Sequence, residues 1–197
     1  MRMKNWKKVV KSNIEEVNTM ADGEKIELFL VNGTADSLVT AEVSNWNGKA
    51  IKIPRIEVVD CRREDINETG VYFLFGRDEA LNKETVYIGQ AENVHQHLKQ
   101  HIYDYSIGKE KFLWHTAIVF LGPDLTRASI RYLENRLVEI ARECERFIVL
   151  TKCTYRHALR KEADIASMEK YIKYVKILLN TLGYKVLELK EGGGGNL

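Results

Sequence analysis

Two short runs of β-forming residues, separated by a polar stretch, constrain the fold of this chain more than any other feature. The first run, residues 71–75, follows Gly70, and the second, residues 86–88, precedes Gly89. The intervening residues 76–84 are largely polar and begin with a glycine. We therefore predict that the two runs form an antiparallel hairpin.

The pairing register of this hairpin decides where its side chains point. If Tyr72 lies opposite Gly89, then Leu74 lies opposite Tyr87, and both phenol rings project from one face as diagonal neighbours. Gly89 would then leave an open space beside Tyr72, where another backbone or a phosphate approaches closely. The sequence leaves this register open. It also leaves open a purely structural role, in which both tyrosine rings pack and their hydroxyls face solvent.

A helix that carries several histidines follows the hairpin. Asn93 is a good N-cap, and we predict that the helix ends near Tyr103. His97 and His101 lie four residues apart and share one face of this helix, whereas His95 lies about 200° around the axis from His97. One helix does not direct all three imidazoles at a single ion, so the pattern disfavours a transition-metal site.

A third strand and a long helix complete the central part of the chain. Residues 112–120 predict the strand, and Thr126 opens a helix that ends near Cys144. Glu134 lies one position off the apolar stripe of that helix. Taken alone, this pattern favours a solvated carboxylate, because glutamates are seldom buried.

Taken together, these elements resemble the GIY-YIG nuclease family, over about residues 70 to 145. The matching motifs are, in order, Gly70-Val71-Tyr72, Tyr87-Ile88-Gly89, the histidine helix, Trp114 and Tyr132-Leu133-Glu134. The flanks resemble one bacterial branch of small single-chain members of the family. Those matches are Asn45-Trp46-Asn47-Gly48, Pro54-Arg55 and the segment from Leu182 to Glu188.

The resemblance implies an α+β fold with a small central three-stranded antiparallel sheet flanked by helices. We expect this module in residues 67–150, after an N-terminal helix and β-meander extension in residues 1–66. A C-terminal extension, residues 151–197, would hold a helix, a last strand in residues 184–189 and a flexible glycine-rich tail. Pro54 interrupts the third strand of the meander and indicates either an edge strand or a break.

The resemblance also implies a mechanism. Tyr72 and Tyr87 would position the attacking water and help to deprotonate it, although a free phenol with a pKa near 10 needs assistance at neutral pH. Glu134 would hold one Mg²⁺ or Mn²⁺ ion. Because a single carboxylate binds such an ion weakly, the metal would arrive with the substrate.

The chain departs from the family pattern at two places. His101 matches a family histidine near the reacting oxygens, but His97 stands where the family carries an arginine that clamps the phosphate. Histidine is shorter, is only partly protonated at neutral pH and lacks the guanidinium fork. No asparagine follows the Glu134 helix at the expected place, and Lys152 lies near that position. Lys152 and Gly89 are the candidate substrate contacts.

Composition sets further bounds. The 197 residues, 45% of them hydrophobic, suffice for one compact domain or two small ones. A net charge of +2 gives no overall basic field, so nucleic-acid binding needs local patches. One candidate patch, equally interpretable as a solvated loop, comprises Lys152, Arg156, Arg160 and Lys161 around Tyr155 and His157.

Three widely spaced cysteines, Cys61, Cys144 and Cys153, favour neither a disulfide framework nor a zinc knuckle. A reduced, cytoplasmic setting is expected, without a signal peptide or a membrane span. The sequence therefore favours a metal-dependent DNA nuclease, with the strand state of the DNA open. The alternatives are a nucleic-acid-binding module with weak or lost cleavage, and a protein-interaction domain suggested by the near-neutral charge.

Overall fold

The computed structural model describes residues 23–152, 159 and 161–189, and these form an α+β fold. The strands are β1 (Ile26–Leu30), β2 (Val39–Val43), β3 (Lys49–Pro54), β4 (Gly70–Asp78), β5 (Lys83–Ala91), β6 (Trp114–Leu121) and β7 (Ile148–Val149). The helices are α1 (Val94–Ser106), α2 (Arg127–Cys144) and α3 (Glu162–Thr181). The N-terminal helix predicted for residues 4–21 and the glycine-rich tail lie outside the described residues.

All of these strands belong to one mixed sheet, in the order β1-β2-β3-β6-β4-β5-β7. The three strands of the predicted central sheet are present as its inner part, β6-β4-β5, but the prediction that the sheet has only three strands is wrong. Strand β3 pairs antiparallel with β6 from Lys49 opposite Leu121 to Pro54 opposite Thr116, so the meander extends the central strands. This pairing satisfies the backbone groups along an edge of β6 that a three-stranded sheet would leave open.

Glycines turn the chain beside β1 and α3, and the predicted cap of α1 is confirmed. Gly33 turns the chain between β1 and β2 with φ of 73°, and Gly183 follows α3 with φ of 91°. Asn93 caps α1 by accepting from the backbone N–H of Gln96. Pro54 is the last residue of β3, which lies between β2 and β6, so it breaks the strand and does not mark an edge.

The last predicted strand, residues 184–189, is absent, and this segment forms turns. Its apolar side chains were the signal for a strand, but they pack onto the sheet face. The Tyr184 ring lies 4.1 Å from the Phe75 ring, and Val186 and Leu187 are buried. The burial of these side chains therefore arises from packing on a sheet and not from pairing within it.

The sheet has an apolar layer on each face. Helices α2 and α3 cover the face that carries Phe73 and Phe75, whereas α1 covers the face that carries Tyr72 and Leu74. Trp114 is fully buried in the second layer, as expected for a packing tryptophan.

The extensions share this core with the central module. Trp46, from the meander, lies 4.9 Å from the Tyr171 ring and 5.2 Å from the Tyr174 ring of α3. The boundaries at residues 66 and 150 remain predictions. No helix among the described residues has the length and apolar character that a membrane crossing requires.

Candidate active site

The hairpin adopts the register that brings its two tyrosines together. Tyr72 lies opposite Gly89 and Leu74 lies opposite Tyr87, and the two phenol rings are 6.3 Å apart. The intervening residue Phe73 is fully buried on the other face of the sheet. A shift of one residue would bring such apolar side chains to the wrong face, and this burial fixes the register.

Gly89 makes room for the ring of Tyr72. A Cβ atom at Gly89 would lie 2.5 Å from Cζ and 2.6 Å from Oη of Tyr72. The open space that we expected there is filled by the ring, so that expectation is wrong. The glycine places the phenol hydroxyl above the strand, and a direct contact of Gly89 with substrate remains a prediction.

We expect Gly89→Ala to destabilise the protein by about 1 to 3 kcal/mol, because the added methyl group overlaps a buried ring. Chemical denaturation would measure this loss. Gly122→Ala is the matched control, since its Cβ would meet only ordinary contacts, the nearest at 3.5 Å. The cost should shrink in a Tyr72→Leu background, and an equal cost in both backgrounds would contradict the steric explanation.

One cleft of about 560 Å³ brings most of the predicted site residues together. The predicted residues that line it are Tyr72, Tyr87, His97, His101, Glu134 and Lys152. They come from β4, β5, α1, α2 and the segment after β7, so the convergence depends on the tertiary fold. Residues that sequence analysis did not single out also line the cleft, among them Gln90, Gln100, Asp104, Glu110 and Thr151.

A larger cleft, of about 670 Å³, borders Trp46 on the meander side of the sheet. Glu42, Glu68 and Glu92 line it, with Lys49 as the only lysine or arginine among its described lining residues. Clustered carboxylates disfavour a phosphate ligand, so size does not make this cleft the better candidate.

A hydrogen-bonded chain runs from Tyr72 through His101 to Glu110. The hydroxyl of Tyr72 lies 2.9 Å from Nε2 of His101. Nδ1 of the same ring lies 2.8 Å and 3.0 Å from the two carboxylate oxygens of Glu110. Sequence analysis missed Glu110 because it lies in the loop before β6 and belongs to no motif; the nearby turn residue Gly108 is the only local signal.

Burial shifts the pKa values of Tyr72 and His101 in this hydrogen-bonded row. It raises the pKa of Tyr72 well above its usual value, and the charges of Tyr87 and Glu134 add to that effect. It also lowers the pKa of His101, against the opposing charge of Glu110. A neutral imidazole therefore faces a protonated phenol at neutral pH.

Glu134 is a buried carboxylate, and its interpretation as a solvated helix residue is wrong. It is 8% exposed, and its buried Oε2 atom has no hydrogen-bond partner among the described residues. Burial raises its pKa to about 7, although the charge of Arg131 opposes the shift. A buried carboxylate oxygen without a donor is costly unless something else compensates its charge.

A hard divalent ion fits this environment. Among the described residues, no three histidine, cysteine or acidic side chains gather as a ready-made metal site. Glu134 would thus be a lone protein carboxylate, which suits an ion that keeps most of its waters and gains further oxygen ligands from a phosphate. His95 takes no part, because its Nε2–H donates to the carbonyl of Val58 at 2.7 Å.

His97 and Lys152 both line the cleft, His97 from α1 and Lys152 from the segment after β7. His97 is exposed on α1 and shares the cleft-lining face with His101, as predicted from their spacing. Lys152 follows Thr151, whose hydroxyl accepts from the N–H of Ile88 at 2.7 Å and donates to its carbonyl at 2.8 Å. These two hydrogen bonds to β5 anchor the backbone next to Lys152, which lines the cleft.

The proposed basic patch is described only in part. Lys152 and Lys161 are placed by the structure, whereas Tyr155, Arg156, His157 and Arg160 lie outside the described residues, as does Cys153. Cys61 and Cys144 are free thiols.

Comparison with known proteins gives no match to any protein-family model, to any curated protein or to any solved structure. The functional assignment consequently depends on the geometry of the cleft and on the motifs that the chain carries.

Proposed function

We propose that this protein is a divalent-metal-dependent nuclease that hydrolyses phosphodiester bonds in DNA. One observation carries the proposal: the carboxylate of Glu134, whose buried Oε2 has no hydrogen-bond partner among the described residues, lines the same cleft as the paired phenols of Tyr72 and Tyr87. These groups lie far apart in sequence and belong to the motifs that resemble the GIY-YIG family. A buried acid with a raised pKa in such a cleft is also typical of functional sites.

Each residue has a role that follows from its position. Glu134 would hold one Mg²⁺ or Mn²⁺ ion, which when bound supplies positive charge to the phosphate oxygens. Tyr72 and Tyr87 would orient the attacking water between their hydroxyls. His101 accepts a hydrogen bond from Tyr72 and so can receive its proton.

Phosphate binding depends on the cationic groups at the cleft. Lys152 is the only lysine or arginine among the described residues that line it. His97 supplies a second, pH-dependent donor. This sparse positive charge favours the alternative candidate, a nucleic-acid-binding module whose cleavage is weak or lost.

Cleavage and binding assays separate the two candidates. Purified protein would be incubated with single-stranded, duplex and branched DNA, with Mg²⁺, Mn²⁺ or a chelator. Metal-dependent cutting that Glu134→Gln abolishes supports the nuclease. Salt-sensitive binding without cutting on any substrate supports the binding module. Absence of both at low salt rejects both candidates and leaves the protein-interaction interpretation.

We expect His97→Arg to increase cleavage, by about tenfold or more, because a guanidinium would clamp the phosphate with two donors where an imidazole offers one. Single-turnover rates at saturating Mn²⁺ would measure the gain. Gln96→Arg is the control, since Gln96 is exposed on the same helix but does not line the cleft. Equal gains in both variants would show a general charge effect and contradict a specific role for position 97.

A further inference from the structure

The loop between α1 and β6 is built to present Glu110 to His101. The backbone N–H groups of Lys109 and Glu110 both donate to the carbonyl of Asp104, at 2.9 Å and 3.1 Å. Gly108 has φ of 74°, which allows the chain to turn back within this short distance. The position of the Glu110 carboxylate is thus set by backbone hydrogen bonds and not by its contact with the imidazole alone.

The contact between Glu110 and His101 determines which nitrogen of the ring carries hydrogen. An ionised carboxylate only accepts, so Nδ1 of His101 must donate to it. In the neutral imidazole, Nε2 then carries a lone pair, 2.9 Å from the hydroxyl of Tyr72. The Tyr72 hydroxyl is accordingly the donor in that bond.

We propose that Glu110 is a positioning residue, which holds His101 in the Nδ1–H tautomer so that Nε2 is the proton acceptor for Tyr72. This inference rests on the proposed nuclease function and deepens it. The Tyr72 proton passes to Nε2 of His101, and the phenolate takes a proton from the attacking water. The resulting imidazolium is stabilised by the negative charge of Glu110, as a carboxylate stabilises the histidine of a hydrolase triad.

The other charged and titratable groups around the ring do not replace Glu110. His97 and Asp104 lie on the same helix as His101, and the Tyr87 ring lies 5.2 Å from its ring. Asp104 is already bound by Lys109 at 2.9 Å and by Gln100 at 2.8 Å. Glu134, on α2, affects this group of side chains through its charge, which raises the pKa of Tyr72.

Nitrogen NMR of protein with ¹⁵N-labelled histidine tests this tautomer directly. The His101 signals would be identified by their loss in His101→Gln. We expect wild-type protein at pH 8 to show a protonated Nδ1 and an unprotonated Nε2. Glu110→Gln should keep that tautomer, because its amide oxygen still accepts, whereas Glu110→Ala should shift hydrogen to Nε2. Glu79→Gln, in the exposed turn after β4, is the control and should match wild type.

Cleavage kinetics provide the second readout. We expect Glu110→Gln to lower kcat by about 10²-fold or more with little change in KM, because the imidazolium loses its counter-charge. A merely structural glutamate would affect unfolding and KM, and its glutamine variant would keep kcat. Full kcat in Glu110→Gln, in a wild type that cuts, would overturn the inference.

The two readouts fail differently. If wild-type protein cuts no DNA, the nuclease proposal fails, and the tautomer spectra still decide whether Glu110 orients His101. An Nε2–H tautomer in wild type, or an unchanged Nδ1–H tautomer in Glu110→Ala, would overturn the inference whatever the cleavage result. A tautomer that depends on the Glu110 side chain supports it.

Discussion

Replacing Glu134 with glutamine is expected to abolish metal-dependent cleavage, by about 10³-fold or more, because the proposed site loses the carboxylate that would hold the metal ion. The same substitution should stabilise the metal-free fold at alkaline pH. Glutamine has nearly the same shape and removes a charge that is buried with an unpartnered oxygen. A loss of function accompanied by a gain of stability is the signature of a residue kept for its chemistry.

The raised pKa of Glu134 determines how the stability of the protein changes with pH. The pKa of Glu134 is about 7 in the folded protein, against the ordinary glutamate value of 4.5 that applies when the chain is unfolded. The folded state thus binds the extra proton between these values, and stability falls as pH rises from about 4.5 to about 7. Above that window the difference of about 2.5 pKa units sets an upper bound of about 3 kcal/mol on the cost of the buried charge, which solvent screening of this partly buried group reduces, and Glu134→Gln should recover that cost.

Thermal unfolding in a chelating buffer at pH 5 and pH 8 would measure this difference. Glu143→Gln, an exposed residue on the same helix, is the matched control and should follow wild type at both pH values. A variant no more stable than wild type at pH 8, or one that still cuts, would contradict the role given to Glu134.

Tyr72→Phe is expected to reduce cleavage by about 10² to 10⁴-fold while leaving the fold nearly intact. The phenylalanine ring still covers Gly89, so packing in the hairpin is kept. Only the hydroxyl is lost, and with it the hydrogen bond to Nε2 of His101. That bond should contribute about 0.5 to 1.5 kcal/mol to the free energy of unfolding.

Single-turnover cleavage and chemical denaturation would separate the two effects of Tyr72→Phe. Tyr103→Phe is the control, because Tyr103 is 57% exposed on α1 and does not line the cleft. Should Tyr72→Phe cut as fast as wild type, the phenol would be a packing residue and the proposed handling of water would be wrong.

Local patterns were enough to predict most of the secondary structure. Helix caps depend on neighbours a few residues away, so Asn93 and Thr126 mark the starts of α1 and α2 where the structure has them. The strand predicted for residues 184–189 is absent because a local pattern does not report what the segment packs against. An alternating apolar pattern cannot distinguish pairing within a sheet from packing on its face.

Some residues of the candidate site were predicted from the sequence and others were not. Motif order pointed to Tyr72, Tyr87, His101 and Glu134, and the structure brings their side chains to one cleft. Glu110 escaped notice because its contact with His101 comes from a loop turn that no motif describes. The helical pattern placed Glu134 beside the apolar stripe, but it did not predict that its carboxylate would be buried.

Residue type and spacing along the chain were thus sufficient to name the hairpin, the shared helix face of His97 and His101, and the capped helices, because these depend on contacts between near neighbours. The register of the hairpin, the seven-strand sheet and the unpartnered oxygen of Glu134 depend on which distant surfaces are buried together. Burial is a property of the packed molecule, and it is burial that raises the pKa of Glu134.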